Sequence, residues 1–396
     1  MLFKSCLVAA LLCLASALPQ INNINHVGRI PGEFLITLRP APQAQKAAYV
    51  QTAVAQIVAH SNAVVLAQFD ALVSPILHVH AEDSAISQAF DVPQVVAIEA
   101  NVFEHVLDQS CSSQSTGSNY WGLSRVSSRA APNYGSASYS YQSNGGAGVK
   151  VYVLDTGIRT THEDFSGGRA IFGANTIGGS NDDNHSHGTH CAGTVAGGNS
   201  GVAKAATVVA VKVVNDQGSG STSNCIDGVN WVINDVSSGG RGVISMSLGY
   251  SPSVALDSAC DSAVAAGVPV VTSAGNSNAD ACTMTPARAA SVISVGATTD
   301  NDDLATYSNW GTCVDILAPG SSVRSAGITS NSAYTLKTGT SMACPHVAGV
   351  AAVYLSNNPS ATSAQVRSYL TSQGSQNYIN LRGTSGTPNI LAYESC

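Results

Sequence analysis

The sequence predicts an α/β fold: a doubly wound, mostly parallel sheet with helices on both faces, preceded by a small α+β domain. Apolar residues make up 44% of the 396 residues and charged residues 10%, a balance that excludes a disordered chain. Of the 37 glycines, only Gly28 and Gly32 precede residue 109, so the composition changes there. Beyond it, β-branched apolar runs alternate with helical segments, which is typical of parallel strands buried on both faces.

Residues 1–17 have the three parts of a secretory signal peptide. Lys4 supplies a positive charge, residues 7–14 are apolar, and residues 15–17 form a small-residue cleavage site. The apolar run is too short to span a bilayer, and the alternative is a buried N-terminal helix. We therefore expect a secreted, extracellular protein whose cysteines meet a compartment that favours disulfide bonds.

Residues 18–108 are predicted to form the small α+β domain. Apolar residues at helical spacing indicate two helices, and short β-branched runs indicate four strands. The resulting βαββαβ order places the helices on one face of a sheet. The strands are expected at 32–38, 64–69, 76–80 and 95–98, and the helices at 43–60 and 82–90.

Residues 109–396 are predicted to form the doubly wound domain. Strands that alternate with helices indicate a parallel sheet, and the functional site of such a sheet lies at the carboxyl ends of its strands. The strands are expected at 149–154, 207–214, 242–247, 268–273 and 292–296, and the helices at 187–196, 223–236, 253–266 and 341–355.

Three polar motifs stand at the expected ends of these elements. Asp155 directly follows the strand 149–154, a place that suits either a functional carboxylate or a turn. His187 lies between His185 and His190, so this cluster fits either a general base or a zinc site, because histidines at i and i+3 share a helical face. Ser341 begins a helix, where it fits either a nucleophile or an N-cap.

Taken together, the motifs favour nucleophilic catalysis. A serine needs a positioned base, the base needs a carboxylate, and the acyl intermediate needs donors for its oxyanion. Asp155, His187 and Ser341 meet the first requirements. The side chain of Asn276, which follows the strand 268–273, and the amide of Ser341 meet the last one.

Three segments resemble, in this order, the signature motifs of the subtilases, the subtilisin-like serine peptidases. They read VLDTG at 153–157, HGTHCAGT at 187–194 and GTSMACPHVAG at 339–349. The resemblance covers nearly all of residues 115–396 and is closest to the proteinase K branch, through WGL, GVA and SLG at 121–123, 201–203 and 247–249.

The resemblance implies a role for each of these side chains. Ser341 attacks the scissile carbonyl, His187 transfers the proton, and Asp155 orients His187. The side chain of Asn276 and the amide of Ser341 stabilise the oxyanion, while His185 and His190 fall outside the triad. No cofactor is implied for catalysis.

The resemblance also implies that an extended peptide binds as an added strand with broad specificity. The pocket for the P1 side chain carries no charge, so we expect apolar or aromatic P1 residues. The implied substrate-binding residues are Gly218, Ser219 and Gly220 on one edge, Ser247, Leu248 and Gly249 on the other, and Ser273, Ala274 and Gly275 beside the pocket.

Residues 18–108 resemble a subtilase propeptide, an inhibitor and folding chaperone that is cut off near 108–109. We therefore expect an autoprocessed zymogen that releases a peptidase of residues 109–396. Its expected partners are polypeptide substrates and its own propeptide, and the mature protein is expected to be a monomer. A net charge of −7 and few lysines argue against nucleic acid, and no membrane partner is expected.

Resemblance to proteinase K implies a structural calcium held by Asp315 and the carbonyl oxygens of Ala290 and Val292.

The cysteine expectations have different origins. Cys282 and Cys313 resemble a disulfide pair of bacterial relatives of proteinase K. Cys225 and Cys260 lie on helices that are neighbours in this fold, which suggests a second bridge. A bridge from Cys111 to Cys396 would tie the termini together. Cys191 and Cys344 are expected to be buried free thiols.

Two rival functions explain less of the sequence. A zinc hydrolase built on His185, His187 and His190 leaves Ser341 and Asn276 without a role. An inactive binding module on the same scaffold has no positive support, because every expected catalytic position is intact.

Overall fold

The computed structural model describes residues 21–22, 24, 29–71, 73–102, 111–237, 241–394 and 396. The chain separates into two compact units, Met1–Val106 and Leu107–Cys396. The expected signal peptide and the expected maturation site near 108–109 lie outside the described residues. Of the helices in the described part of the chain, none has both the length and the hydropathy that crossing a bilayer requires.

The N-terminal unit is a four-stranded antiparallel sheet covered by helices. Its elements are β1 (Arg29–Leu38), α1 (Lys46–Ser61), β2 (Val64–Phe69), β3 (Ile76–His80), α2 (Asp83–Ile86) and β4 (Val95–Val102). The strand order is β2-β3-β1-β4. Phe34, Ile36 and Leu38 alternate along β1 and therefore lie on one face of the sheet. They are buried in one cluster with Val50 and Ile57, which lie on one face of α1.

The second unit carries a nine-stranded sheet with helices on both faces. Its elements are β5 (Cys111–Ser115), α3 (Trp121–Val126), β6 (Ser138–Gln142), β7 (Lys150–Asp155), β8 (Ala170–Asn175), α4 (His187–Ala196), β9 (Thr207–Lys212), α5 (Thr222–Ser237), β10 (Gly242–Met246), α6 (Val254–Ala265), β11 (Val270–Ser273), β12 (Ile293–Thr298), β13 (Ile316–Pro319), β14 (Val323–Ala326), β15 (Tyr334–Lys337), α7 (Thr340–Asn357), α8 (Ser363–Gln373), β16 (Ser375–Gln376) and β17 (Ile390–Leu391).

The strand order β16-β17-β13-β12-β11-β10-β7-β9-β8 confirms the predicted doubly wound sheet. Every neighbouring pair is parallel except β16 with β17. The central strand β7 is buried from Val151 to Asp155, as expected for a strand covered on both faces. Helices α5 and α6 share one apolar cluster with this sheet, and α4 and α7 contact it through other residues.

Some strands were not predicted. The edge strand β8 is buried only at Ala170 and contains Gly173, so it lacks the continuous buried run of the central strands. Strand β13 has four residues and ends at Pro319, which is too short a run to stand out from the sequence. Helix α2 is shorter than expected, because a 3₁₀ helix replaces it from Ser87 to Asp91.

Two disulfide bonds lie in the second unit. They join Cys111 to Cys396 and Cys282 to Cys313, with Cα–Cα distances of 5.6 and 5.2 Å. The expected bridge between Cys225 and Cys260 is not formed, because both are buried free thiols. 

The side-chain direction of Cys225 explains this correction. Its thiol points from α5 onto the sheet, where the sulfur lies 3.8 Å from the sulfur of Met246. Cys260 belongs to the same apolar cluster, so both cysteines act as small core residues. Cys191 and Cys344 are also buried free thiols.

Candidate active site

A buried carboxylate and an imidazole meet where β7 ends and α4 begins. Asp155 is the last residue of β7 and is 0% exposed. Its two carboxylate oxygens lie 2.8 and 2.9 Å from Nδ1 of His187, the first residue of α4. The amide of Thr156 donates a further hydrogen bond of 2.7 Å to Oδ1 of Asp155. The pair therefore fixes the imidazole by Nδ1 and leaves Nε2 to face the other way.

A second buried carboxylate, Asp183, fixes the start of α4. It accepts hydrogen bonds from the amides of His185 and Ser186, and from both the amide and the hydroxyl of Thr189. The hydroxyl of Thr156 also donates to it, at 2.9 Å. One carboxylate thus holds the helix that carries His187 against the strand that carries Asp155.

Gly188 lies where the start of α4 comes very close to the chain that follows β7. A Cβ at this position would lie 2.2 Å from the carbonyl oxygen of Gly157 and 3.1 Å from Cβ of Asp155. Only glycine lets α4 come this near to the end of β7.

Ser341 lies in the first turn of α7, beside a proline that changes its surroundings. Pro345 has no N–H, so it cannot donate to the Ser341 carbonyl four residues earlier. That carbonyl instead accepts from Oγ of Ser247 at 2.8 Å and from the thiol of Cys191 at 3.4 Å. The hydroxyl of Ser341 in turn donates to the carbonyl of Ser247, at 3.2 Å.

Cys191 connects the helix α7, which carries Ser341, to His187. Its sulfur lies 3.9 Å from Nδ1 of His187, one helical turn away, and it also contacts the Ser341 carbonyl. Burial raises the pKa of the Cys191 thiol, so it remains neutral. The thiol therefore acts as packing between α4 and α7.

Two hydrogen bonds to its side-chain oxygen hold the side chain of Asn276 in place. Its Oδ1 accepts from both the amide and the hydroxyl of Thr340, each at 2.8 Å. Its Nδ2 lies towards Gly339, 3.3 Å from the position that a Cβ there would take. The amide donors are thus directed towards the start of α7, where Ser341 lies.

Asn309 supports the loop that carries Asn276. Its Nδ2 donates to the carbonyl of Ala274, and its Oδ1 accepts from the amides of Ser277 and Ala279. The side chain is 0% exposed. This loop therefore has an internal brace that the sequence motif did not reveal.

Two opposing effects act on the pKa of His187. Desolvation of the ring disfavours its protonated form, whereas the charge of Asp155 favours it. Desolvation is the largest single effect, but the interactions with Asp155 and Cys191 together outweigh it and hold the pKa of His187 above its usual range. A general base must be neutral to accept a proton, so His187 becomes competent on the alkaline side of this pKa.

The other two histidines of the cluster do not join His187 in a metal site. His190 is fully buried, and its Nε2 lies 2.9 Å from the carbonyl of Val323. Burial lowers the pKa of His190 to about 3. His185 is exposed and lies beside Gly218. Within the described residues, the single group with metal-ligand spacing is Asp155, His187 and Cys191, which contains neither.

The expected substrate-binding segments lie at the ends of neighbouring strands. Residues 247–249 follow β10 and residues 274–275 follow β11, which pairs with it in parallel. The hydroxyl of Ser273 donates to the carbonyl of Leu248, at 3.4 Å. Because Ser247 also contacts Ser341, both segments lie next to the candidate nucleophile.

Comparison with known proteins bears on the same residues. The model of the subtilase family matches residues 146–387, which is more than half of the chain and contains all these groups. The chain belongs to the subtilase family.

Relatives of this subtilase are named as serine proteases. The alkaline serine exoprotease A of Vibrio alginolyticus is 46% identical over 275 residues, which are 69% of this chain and 50% of that protein. The chain thus matches half the length of that relative. The extracellular serine proteinase of Thermus sp. (strain Rt41A) is 44% identical over 318 residues, 80% of this chain and 74% of that one.

A solved structure has the same fold. The crystal structure of a cold adapted subtilisin-like serine proteinase is 44% identical and covers 69% of this chain and 97% of its own, with a TM-score of 0.64. The expected family and the subtilisin-like α/β fold are both confirmed, and this subtilase is a member of a serine protease family.

The expected calcium ligands surround a different cation in this subtilase. Arg367 of α8 donates through Nη1 to the carbonyl of Ala290 and through Nη2 to Oδ1 of Asp315. Oδ2 of Asp315 accepts from the amide of Ser294, at 2.8 Å. Two of the three expected ligand groups therefore already hold a guanidinium, whose positive charge opposes a divalent ion. The residues here do not fit the calcium that the resemblance implied.

Sequence reasoning missed the groups that orient the named residues. Thr340 stands inside the quoted GTS motif, yet its bonds to Asn276 depend on a loop far away in the chain. Asp183 is a polar residue shortly before the motif at 187–194, whereas Asn309 lies far from every quoted motif, and burial distinguishes both from surface residues. The position of Asp183 beside a motif is therefore a sequence signal, and Asn309 has none.

Removing the Thr340 hydroxyl should loosen Asn276, and it also leaves the amide of Gly275 without the acceptor that it has at 3.2 Å. We expect Thr340→Val to lower kcat by about fivefold, the effect of losing one neutral hydrogen bond of about 1 kcal/mol. Thr340→Ser keeps the hydroxyl and should retain most of the rate. Steady-state kinetics on a peptide anilide tests this, and equal rates for the two variants would contradict the orienting role.

The Arg367 contacts predict that calcium does not stabilise this subtilase through Asp315. The melting temperature of the mature protein, inactivated with a sulfonyl fluoride to prevent autolysis, should be the same with chelator and with calcium. A calcium-dependent rise that Asp315→Asn abolishes would show that the metal displaces the guanidinium.

Proposed function

We propose that this chain is a secreted serine endopeptidase, made as a zymogen that processes itself, and that it cleaves peptide bonds through an acyl-enzyme on Ser341. The observation that carries the proposal is the pairing of the buried Asp155 with His187, which Cys191 connects to the first turn of α7. Nε2 of His187 has no hydrogen-bond partner within the described residues, so it is available to a hydroxyl.

In the acylation step, Oγ of Ser341 attacks the scissile carbonyl carbon while Nε2 of His187 takes the hydroxyl proton. This requires the Ser341 hydroxyl to turn from the Ser247 carbonyl towards His187, a rotation about one side-chain bond. The imidazolium that forms is stabilised by the charge of Asp155. His187 then gives the proton to the leaving amine as the C–N bond breaks.

Deacylation runs through the same groups. His187 takes a proton from a water molecule as its oxygen attacks the ester carbonyl on Ser341. The ester C–O bond breaks, the proton returns to Oγ of Ser341, and the acyl fragment leaves with its new terminal carboxyl group. In both steps the negative charge gathers on one oxygen, where the Asn276 side chain and the Ser341 amide act as donors.

The P1 pocket is proposed to be apolar. The segments 247–249 and 273–275 contain no charge. Met284 lies against both, with Cε 2.9 Å and Cγ 3.6 Å from where a Cβ on Gly249 and on Gly275 would stand. A methionine adapts to side chains of different shape, which supports broad specificity for apolar and aromatic P1 residues.

Secretion and self-processing rest on the N-terminal part of the chain. Residues 1–17 have the pattern of a signal peptide, and residues 18–108 resemble a propeptide. The Thermus relative is named an extracellular proteinase, in agreement with export. We propose that residues 109–396 act as a monomer on polypeptide substrates, without a catalytic cofactor and without a nucleic-acid or membrane partner.

Replacement of the nucleophile tests the proposed function. Wild type and Ser341→Ala should be secreted separately and given denatured casein. Wild type should produce internal peptides and a mature chain that begins near residue 109, because both cleavages need Ser341. The variant should be inert and keep its N-terminal segment. A variant that cleaves casein as wild type does would contradict the assignment, and purely terminal cleavage would contradict endopeptidase action.

The P1 preference predicts the outcome of a peptide library. Phe, Leu and Met at P1 should be preferred to Arg, Lys, Asp and Glu, because no charge in the pocket segments can pair with them. Sequencing of the products gives the preference. A strong preference for Arg or Lys at P1 would contradict the apolar pocket without affecting the triad.

A further inference from the structure

A lysine is buried beside the catalytic carboxylate. Lys212 is the last residue of β9, pairs in register with Asp155 of β7, and is 1% exposed. Its ammonium donates to the carbonyl of Thr156 and, at 2.8 Å, to Oδ1 of Asp216. Burial of an ammonium costs several kcal/mol, and an apolar residue of similar size is often at least as stable. Packing alone therefore does not account for this lysine.

The partner carboxylate, Asp216, links two parts of the site. Its Oδ1 accepts from Lys212, and its Oδ2 accepts from Nδ2 of Asn184 at 3.0 Å. The hydrogen bond from Lys212, followed by that from Asn184, lowers the pKa of Asp216, so the carboxylate is charged at neutral pH. It thus joins the end of β9 to the segment that precedes His187.

Asp216 belongs to the loop 215–220, which contains the expected substrate edge. Asn215 closes the loop through its backbone bonds with Gly218 and Ser219 and through its side chain. A Cβ at Gly220 would lie 2.3 Å from the carbonyl of Val213, so this glycine lies directly against the chain after β9. Within the described residues, the amide of Gly220 and the carbonyl of Gly218 have no hydrogen-bond partner, as an edge that accepts a strand requires.

The same loop touches the segment of the catalytic base. Nε2 of His185 lies 3.0 Å from where a Cβ of Gly218 would stand, and the rings of His185 and His187 are 6.3 Å apart. The loop is therefore connected to Asp155 through Lys212 and Thr156, and to His187 through Asn184 and His185. Exposed loops of this kind rarely keep a fixed position without such anchors.

We propose that Lys212 and Asp216 form a positioning pair that holds the substrate edge 218–220 in register with Asp155 and His187. The proposal rests on the proposed peptidase function and names a determinant of how that function uses substrate residues beyond P1. Neither residue touches the reacting atoms. The pair acts by letting the binding energy of substrate residues beyond P1 fix the scissile bond at Ser341.

Two substrates with the same P1 residue separate this role from a direct effect on the triad. A tetrapeptide anilide uses the substrate edge, whereas an ester of the single P1 amino acid does not. Lys212→Met keeps the length of the side chain and removes its charge. We expect it to lower kcat/KM for the tetrapeptide by about tenfold and to change that for the ester by less than about twofold. Asp216→Asn should likewise lower the ratio of kcat/KM for the tetrapeptide to kcat/KM for the ester.

Lys204 offers a matched control. It is a second, partly buried lysine whose ammonium donates to the carbonyl of Gly198, away from the substrate edge. Lys204→Met should leave the ratio of the two rates at the wild-type value. If Lys212→Met is not secreted in folded form, Asp216→Asn decides, because Asp216 lies in a partly exposed loop and its substitution leaves Lys212 in place.

Each outcome bears on the pair. Equal losses on both substrates, or a shifted pH profile for the ester, would mean that Lys212 acts on the charge of the triad and would overturn the positioning role. An unchanged ratio in both variants would overturn it as well. A wild-type protein that cleaves neither substrate would instead overturn the proposed peptidase function, and the pair with it.

Discussion

The buried carboxylate of Asp155 constrains the positions of the other groups in the site. Asp155 is fully buried at the end of β7, and a buried carboxylate is tolerable only when it is paired and hydrogen-bonded. His187 pairs with it, and the amide of Thr156 satisfies it further. The helix α4 must therefore start within hydrogen-bond distance of β7, which explains both the network of Asp183 and the absence of a side chain at Gly188.

The parallel sheet brings the remaining groups to the same edge. The strands β7, β10 and β11 end side by side, so Asp155, the segment 247–249 and the loop of Asn276 are neighbours although they are far apart in the chain. The freed carbonyl of Ser341, which Pro345 leaves without its helical donor, is bound by Ser247 and Cys191. Because of the proline, the helix α7 depends on contacts with both α4 and the residue that follows β10.

Much of this arrangement could be predicted from local sequence. Continuous β-branched runs predicted the central strands, and three ordered motifs predicted the residues of the candidate site. The predictions that went wrong depended on where a side chain points. Helix proximity suggested a bridge between Cys225 and Cys260, but Cys225 faces the sheet. The resemblance to proteinase K suggested a calcium ion at Asp315. In the structure, Arg367 of α8 binds the carboxylate of Asp315 and the carbonyl oxygen of Ala290 instead.

The proposed mechanism depends most directly on the effect that the charge of Asp155 has on the pKa of His187. The titration of the His187 ring, followed by NMR in Ser341→Ala protein with and without the further change Asp155→Asn, measures it without needing activity. With Asp155 present, the pKa of His187 should lie above the usual imidazole value of 6.5, and Asp155→Asn should lower it. A His187 ring that titrates at or below 6.5 in both proteins would contradict the coupling from which the mechanism follows.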